Sequence, residues 1–207
     1  EQVDKAIDEC IALKTMTVCV RGCDIDRALE KCAGTETKVS CVLDFPYGYS
    51  GAAAKRAIAR DYAARGVYEI DMVMNYGAAR GGDWATVETE IRGVVEEAHA
   101  KNVGVKVIFE TSQLDAEQIR RATEVSIAAG ADFVKTSTGF NGAGATEEAV
   151  RIMLDTAAGR AKVKPSGGIR DFAAAKKYVE MGAARLGVGY SSCGVICSGE
   201  GASTENY

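Results

Sequence analysis

The sequence predicts an α/β fold of the TIM (β/α)8-type barrel class, on the basis of three observations. Short apolar runs rich in β-branched residues alternate with alanine-rich segments of helical periodicity along the 207 residues. Helices between successive strands require parallel pairing, and uniformly apolar strands are typical of a sheet covered on both faces. Polar residues follow many successive strands, whereas a doubly wound sheet would concentrate them at one switch point.

Seven segments are predicted to be strands. They are residues 16–20, 38–45, 69–75, 104–111, 132–138, 161–164 and 185–188. The predicted helices are residues 3–13, 52–65, 84–101, 116–129, 146–158 and 171–181. A complete barrel of this class has eight strands. Because a helix comes first, we expect that the first barrel strand is missing from this sequence.

The composition predicts a single domain, residues 1–207, whose partner is a small molecule. A net charge of −4 gives no basic surface of the kind that nucleic acid or an anionic membrane would require. No apolar run approaches the roughly 20 residues that cross a bilayer, and the charged N-terminal segment is unlike a signal peptide, so we expect a cytoplasmic protein. The polar segment 198–207 is expected to be a flexible C-terminal tail; alternatively, it folds over the pocket mouth.

Metal chemistry is not expected. The seven cysteines show no C-x2-C pairs of the kind that bind zinc, so we interpret them as reduced thiols. The one histidine, His99, lies in a polar helical segment, which argues against a catalytic triad and against a histidine metal cluster.

Two lysines lie where buried strands should be apolar. Lys135 follows Phe133 and Val134, and Lys164 follows Val163. A buried ammonium group either finds a carboxylate or loses its proton, because desolvation penalises the charge. A lysine attacks a carbonyl only as the neutral amine, which a dry pocket and a second cation both favour. One strand-helix unit separates the two lysines, so we predict that they face each other from neighbouring strands; the alternative is an exposed strand end.

Asp71 and Lys106 show the same pattern on two consecutive earlier strands. The residues themselves leave two interpretations open. The pair either takes part in the chemistry or forms a buried salt bridge with a structural role only.

Glycines cluster at the ends of the last three predicted strands. They are Gly139, Gly167, Gly168, Gly187 and Gly189, with Thr138 and Arg170 beside them. Glycine lets the backbone approach a ligand closely and offer N–H donors to an anion, and barrels often bind phosphate at their last two strands. These residues are therefore predicted to bind a phosphorylated substrate.

Several segments together resemble the deoxyribose-phosphate aldolase family. Residues 131–140, which read ADFVKTSTGF, resemble the Schiff-base signature of that family, and this motif is highly specific. Residues 164–170 are similar to its second-lysine and phosphate segment, residues 69–75 to its acid/base strand, and residues 106–111 to the strand between. The resemblance extends from about residue 18 to residue 187.

The resemblance implies a class I aldolase, a lyase that needs neither a metal nor an organic cofactor. It implies that Lys135 forms the imine, that Lys164 favours the neutral amine, and that Asp71 with Lys106 moves protons through an ordered water. The implied reaction is reversible cleavage of 2-deoxy-D-ribose 5-phosphate to acetaldehyde and D-glyceraldehyde 3-phosphate. The expected partners are thus a small sugar phosphate and aldehydes, and such a barrel can also form a homo-oligomer.

Two departures from the family pattern keep alternatives open. Tyr190 stands where a small residue is expected after the last strand, and it would crowd a phosphate group. Asp44 precedes Phe45 and Pro46 where a neutral residue is expected, and an acid near the pocket would alter substrate choice. One alternative is a same-fold class I aldolase for another, unphosphorylated aldehyde, and the other is a catalytically silent barrel that binds a sugar phosphate.

Overall fold

The computed structural model describes residues 1–199, in which parallel strands alternate with helices. The strands are β1 (Thr17–Val20), β2 (Lys38–Leu43), β3 (Glu69–Val73), β4 (Gly104–Ile108), β5 (Phe133–Lys135) and β6 (Lys162–Lys164). The helices are α1 (Gln2–Ala12), α2 (Ile25–Cys32), α3 (Ala52–Ala64), α4 (Tyr76–Arg80), α5 (Trp84–His99), α6 (Ala116–Ala128), α7 (Glu147–Ala157), α8 (Phe172–Glu180) and α9 (Tyr190–Ser198).

The six strands form one parallel sheet in chain order, from β1 to β6. The register places Asp71 opposite Lys106, and Lys135 opposite Lys164. Residues of β1 and of the segment 185–189 line a common cavity, although they lie at opposite ends of this order. The sheet therefore curves as it does in a barrel, and the predicted fold class is confirmed.

The seventh predicted strand, residues 185–188, is wrong as a strand. Within the described residues the segment makes a single parallel bridge, between Gly187 and Ser166. The Gly187 N–H donates to the Pro165 carbonyl at 2.8 Å, but proline has no N–H to donate in return. The pairing consequently does not extend into a ladder.

The six predicted helices are all present, with ends within two residues of those predicted. At several helix starts, a side chain accepts a hydrogen bond from a backbone N–H group that has no partner within the helix. The accepting residues are Asn75, Asp83, Asp115, Thr146 and Asp171. Helices α2, α4 and α9 were not predicted from the sequence. The last of these ends at Ser198, so the tail predicted over 198–207 begins inside a helix, and residues 200–207 lie outside the described range.

Apolar strand residues and the inward faces of the helices form one connected core. Strand β3 is buried along its whole length, which places the charged side chain of Asp71 inside the barrel. No helix within residues 1–199 has the length and apolar character needed to cross a bilayer.

Candidate active site

Asp71 lies at the centre of a cluster of three lysines. Its Oδ1 accepts a hydrogen bond from Lys106 Nζ at 2.8 Å, and its Oδ2 accepts from Lys135 Nζ and Lys164 Nζ, each at 2.8 Å. Asp71 and Lys106 have no exposed surface, Lys135 is 7% exposed and Lys164 is 4% exposed. The four predicted catalytic residues, which come from β3, β4, β5 and β6, are thus brought together in one buried site.

A second carboxylate, that of Glu69, also bonds to Lys106. Glu69 accepts a hydrogen bond from Lys106 Nζ and two from the Arg185 guanidinium, at 3.2 and 3.4 Å. The Arg185 guanidinium also stacks over the Phe133 ring, 5.4 Å from the ring centroid. If all of these groups were ionised, four basic side chains would be balanced by Asp71 and Glu69 alone, so the cluster has an excess of positive charge.

Burial and the excess of positive charge together shift the pKa values of Asp71 and Lys164. Burial opposes ionisation of Asp71, but the attraction of Lys135, Lys164 and Lys106 outweighs it and holds the pKa of Asp71 well below 3.8. Burial lowers the pKa of Lys164 from 10.5, and repulsion from Lys135 adds to this effect, while Asp71 opposes it. The site therefore combines a carboxyl group and an amine whose pKa values are both lowered.

A cavity of about 440 Å³ opens onto the two lysines at the ends of β5 and β6. Several residues predicted to bind substrate line it together with these lysines: Thr138, Gly167, Gly187 and Gly189. Tyr190, the residue predicted to crowd a phosphate, is half exposed and also lines the cavity.

Three other residues of the predicted phosphate cradle do not line this cavity. Gly168 and Arg170 are exposed and are not part of its lining. Gly139 packs behind Gly167, since a Cβ atom on Gly167 would lie 3.3 Å from the Gly139 Cα. The role of these three residues in binding stays a prediction.

Gly187 is required by close packing against the lysine cluster. A Cβ atom at this position would lie 2.4 Å from the Ser166 Cβ and 3.2 Å from the Lys164 Cε. Any larger residue would displace the end of the Lys164 side chain or separate the last segment from β6.

Asp44 does not line the cavity. It has a left-handed backbone conformation, with φ of 53°, and its carboxylate accepts hydrogen bonds from the Ser50 N–H and hydroxyl, each at 2.8 Å. Lys55, which is fully buried, contacts Asp44 at 3.5 Å, bonds to Glu90, and donates to the Gly48 carbonyl at 2.9 Å. The acid that was expected to alter substrate choice therefore holds the β2–α3 loop in shape.

Sequence reasoning missed Glu110, which immediately adjoins the site. This fully buried residue accepts hydrogen bonds from the backbone and the hydroxyl of Thr138. A charged residue at the end of an apolar run was the available signal, the same one that identified Lys106. His99 instead pairs with Asp132 at 2.9 Å, away from the cavity.

The described residues include neither a disulfide bond nor a cluster of side chains suited to a metal ion. All seven cysteines are free. Among residues 1–199, no three side chains of the His, Cys, Asp and Glu types come together in a way that could hold a metal ion.

Comparison with known proteins gives a consistent result. A family model described as DeoC/LacD family aldolase matches residues 3–198. Deoxyribose-phosphate aldolase 1 of Staphylococcus aureus is 45% identical over 186 residues, which cover 90% of this chain and 84% of the relative. A Coccidioides immitis protein provisionally named a deoxyribose-phosphate aldolase superposes with a TM-score of 0.89 at 40% identity, over 95% of this chain and 78% of that one. The aldolase QR15 superposes with a TM-score of 0.88 at 36% identity, over 95% and 86%.

Proposed function

Because the chain belongs to the DeoC/LacD family of aldolases, we propose that it cleaves 2-deoxy-D-ribose 5-phosphate reversibly to acetaldehyde and D-glyceraldehyde 3-phosphate. The observation that carries the proposal is the buried contact of Asp71 with both Lys135 and Lys164 beside an open cavity. The name of the Staphylococcus aureus relative, deoxyribose-phosphate aldolase, supports this choice of substrate.

Lys135 is the proposed nucleophile. It ends β5 inside the segment that resembles the Schiff-base signature, and it lines the cavity. Its neutral amine adds to the C1 aldehyde of the substrate, and loss of water leaves an iminium. Lys164 lies on the same oxygen of Asp71 as Lys135 and has a lowered pKa, so in its neutral form it can take up the proton that Lys135 gives up.

Bond cleavage requires a proton acceptor near the C3 hydroxyl group. As this proton leaves, the C2–C3 bond breaks and its electron pair moves into the iminium, which becomes an enamine while D-glyceraldehyde 3-phosphate departs. Asp71, kept charged by the lysines around it, and Lys106, bonded to its other oxygen, are the proposed proton relay. Protonation of the enamine carbon and hydrolysis of the imine then release acetaldehyde and restore the amine.

Trapping the imine tests the nucleophile directly. Incubation with acetaldehyde and borohydride should ethylate Lys135, as identified by peptide mass mapping. Lys135→Met should abolish the adduct, whereas Lys177→Met, which replaces an exposed lysine on α8, should leave it intact. An adduct on Lys164 would exchange the roles of the two lysines, and the absence of an adduct on either would refute imine catalysis by this cluster. Measured release of acetaldehyde from the sugar phosphate would exclude a catalytically silent barrel.

A second candidate substrate is an unphosphorylated deoxy sugar or other aldehyde. Tyr190 at the cavity and the exposed position of Arg170 favour this alternative. Comparing kcat/KM for 2-deoxyribose and its 5-phosphate separates the two candidates. A clear preference for the phosphate supports the first, and equal values support the second. Under the second candidate, Tyr190→Ser should raise kcat/KM for the phosphate selectively.

A further inference from the structure

Glu110 is a buried carboxyl group that the proposed chemistry does not use. It lies two residues beyond the end of β4 and has a left-handed backbone conformation, with φ of 56°, which non-glycine residues seldom adopt. Such a conformation persists only where surrounding contacts hold it, and it often occurs at functional sites. The hydrogen bonds of the Glu110 side chain show which neighbouring residue it orients.

Both oxygens of Glu110 bond to a single residue of the cavity wall. Oε1 accepts the backbone N–H of Thr138 at 3.2 Å, and Oε2 accepts the Thr138 hydroxyl proton. The Thr138 Oγ1 in turn accepts the backbone N–H of Phe140 at 3.0 Å. A hydroxyl group has one proton and two lone pairs, so one lone pair of Thr138 remains without a partner within the described residues.

Beside Glu110, the loops that follow β2 and β5 contact each other. The Asn141 side chain, which helps to lower the pKa of Glu110, donates a hydrogen bond to the Pro46 carbonyl at 3.2 Å. Next to this bond the rings of Phe45 and Phe140 pack edge to face, with centroids 5.3 Å apart. The loops that follow β2 and β5 are thus tied together around the side chain that orients Thr138.

The hydrogen bonds favour an acceptor role for Glu110. The pKa of Glu110 is raised above 4.5 by burial, and the donors of Thr138 and Asn141 and the positive charge of Lys135 reduce this rise. A carboxylate can only accept, so it directs the Thr138 proton away from any ligand.

We propose that Glu110 is a positioning residue that fixes the Thr138 hydroxyl as a hydrogen-bond acceptor, so that the site selects aldehydes carrying a hydroxyl donor. This inference rests on the proposed function, because Thr138 lines the same cavity as Lys135. The aldehyde released in the proposed reaction carries such a hydroxyl group next to its carbonyl carbon. An ether in place of this hydroxyl could only accept and would find no donor on Thr138.

Matched acceptor aldehydes test the inference. The enzyme adds acetaldehyde to glycolaldehyde or to methoxyacetaldehyde at pH 8, and the two kcat/KM values are compared. For the wild-type protein we expect a preference for glycolaldehyde of about 5-fold or more, the typical worth of one net hydrogen bond. In Glu110→Gln the amide can donate to Thr138 and release its proton toward the ligand, so the ratio should fall to about one or below.

Controls separate orientation from folding. Glu117→Gln removes an exposed carboxylate on α6 and should keep the wild-type ratio. Thr138→Ser should also keep the wild-type ratio, because serine retains the hydroxyl group. Thr138→Val should abolish the preference for glycolaldehyde. Adding Glu110→Gln to Thr138→Val should then leave the ratio unchanged.

The outcomes distinguish this inference from the proposed function. Absence of turnover with both aldehydes in the wild-type protein would overturn both. Turnover with a wild-type ratio near one, or a ratio that Glu110→Gln leaves unchanged, would overturn the role of Glu110 alone. A wild-type ratio near one overturns this role even if Glu110→Gln does not fold.

Discussion

Replacing Asp71 with Asn should destabilise the protein strongly, whereas replacing Lys164 with Met should not. Within the described residues, Asp71 is the one carboxylate bonded to Lys135 and Lys164. Removing its charge leaves buried ammonium groups without a counter-ion, which costs about 3–5 kcal/mol of unfolding free energy. Lys164→Met leaves Asp71 paired with two lysines and removes a buried charge that burial already disfavours, as its lowered pKa indicates. Substitutions of that kind are neutral or stabilising by about 1–4 kcal/mol.

Urea unfolding at pH 7 measures both effects, provided that the slope of free energy against denaturant is unchanged between variants. Both variants should lose aldolase activity, so stability and activity should change independently in Lys164→Met. Lys177→Met on α8, whose ammonium is exposed and bonds to Glu147, is the control and should leave the midpoint unchanged. If Lys164→Met lost as much stability as Asp71→Asn, the excess of positive charge in the cluster would be refuted.

Three further outcomes are expected. The folded pKa of Asp71 lies below its unfolded value, so the stabilisation from this carboxylate is complete above pH 3.8 and is lost as the pH falls further. The difference in unfolding free energy between the wild type and Asp71→Asn should therefore become smaller below pH 3.8. A difference that stays constant would contradict the lowered pKa of Asp71. Glu90→Gln leaves the fully buried Lys55 without its nearest carboxylate and should cost about 3–5 kcal/mol in urea unfolding, unlike Glu96→Gln on the exposed face of α5. Gly187→Ala should lower the free energy of unfolding by about 1–3 kcal/mol and slow borohydride trapping, because the new Cβ atom would collide with Ser166 and Lys164. Gly51→Ala is the control: this position has open space around it, so neither quantity should change.

The alternation of strands and helices could be read from the sequence because it depends on local periodicity. The six predicted helices are present, since apolar spacing and helix-start residues act within a few positions along the chain. The segment 185–188 was wrongly predicted as a strand because strand pairing depends on a partner elsewhere. That partner includes Pro165, and whether a ladder continues past a proline cannot be judged from the apolar segment alone.

The catalytic candidates were also visible in the sequence, because an ionisable residue in an apolar strand is costly and therefore conspicuous. Lys135, Lys164, Lys106 and Asp71 were all identified in this way. Glu110 gave the same signal, but its meaning depends on Thr138, and nothing in the sequence says which side chain it faces.

The sequence by itself determined the α/β barrel class and which side chains are chemically unusual. Only the tertiary structure decided that three lysines share one carboxylate, with Asp71 lying 64 positions from Lys135 and 93 from Lys164 along the chain. The physical reason is that composition and periodicity report how each residue meets water, whereas hydrogen bonds between distant residues are set by the register and curvature of the sheet.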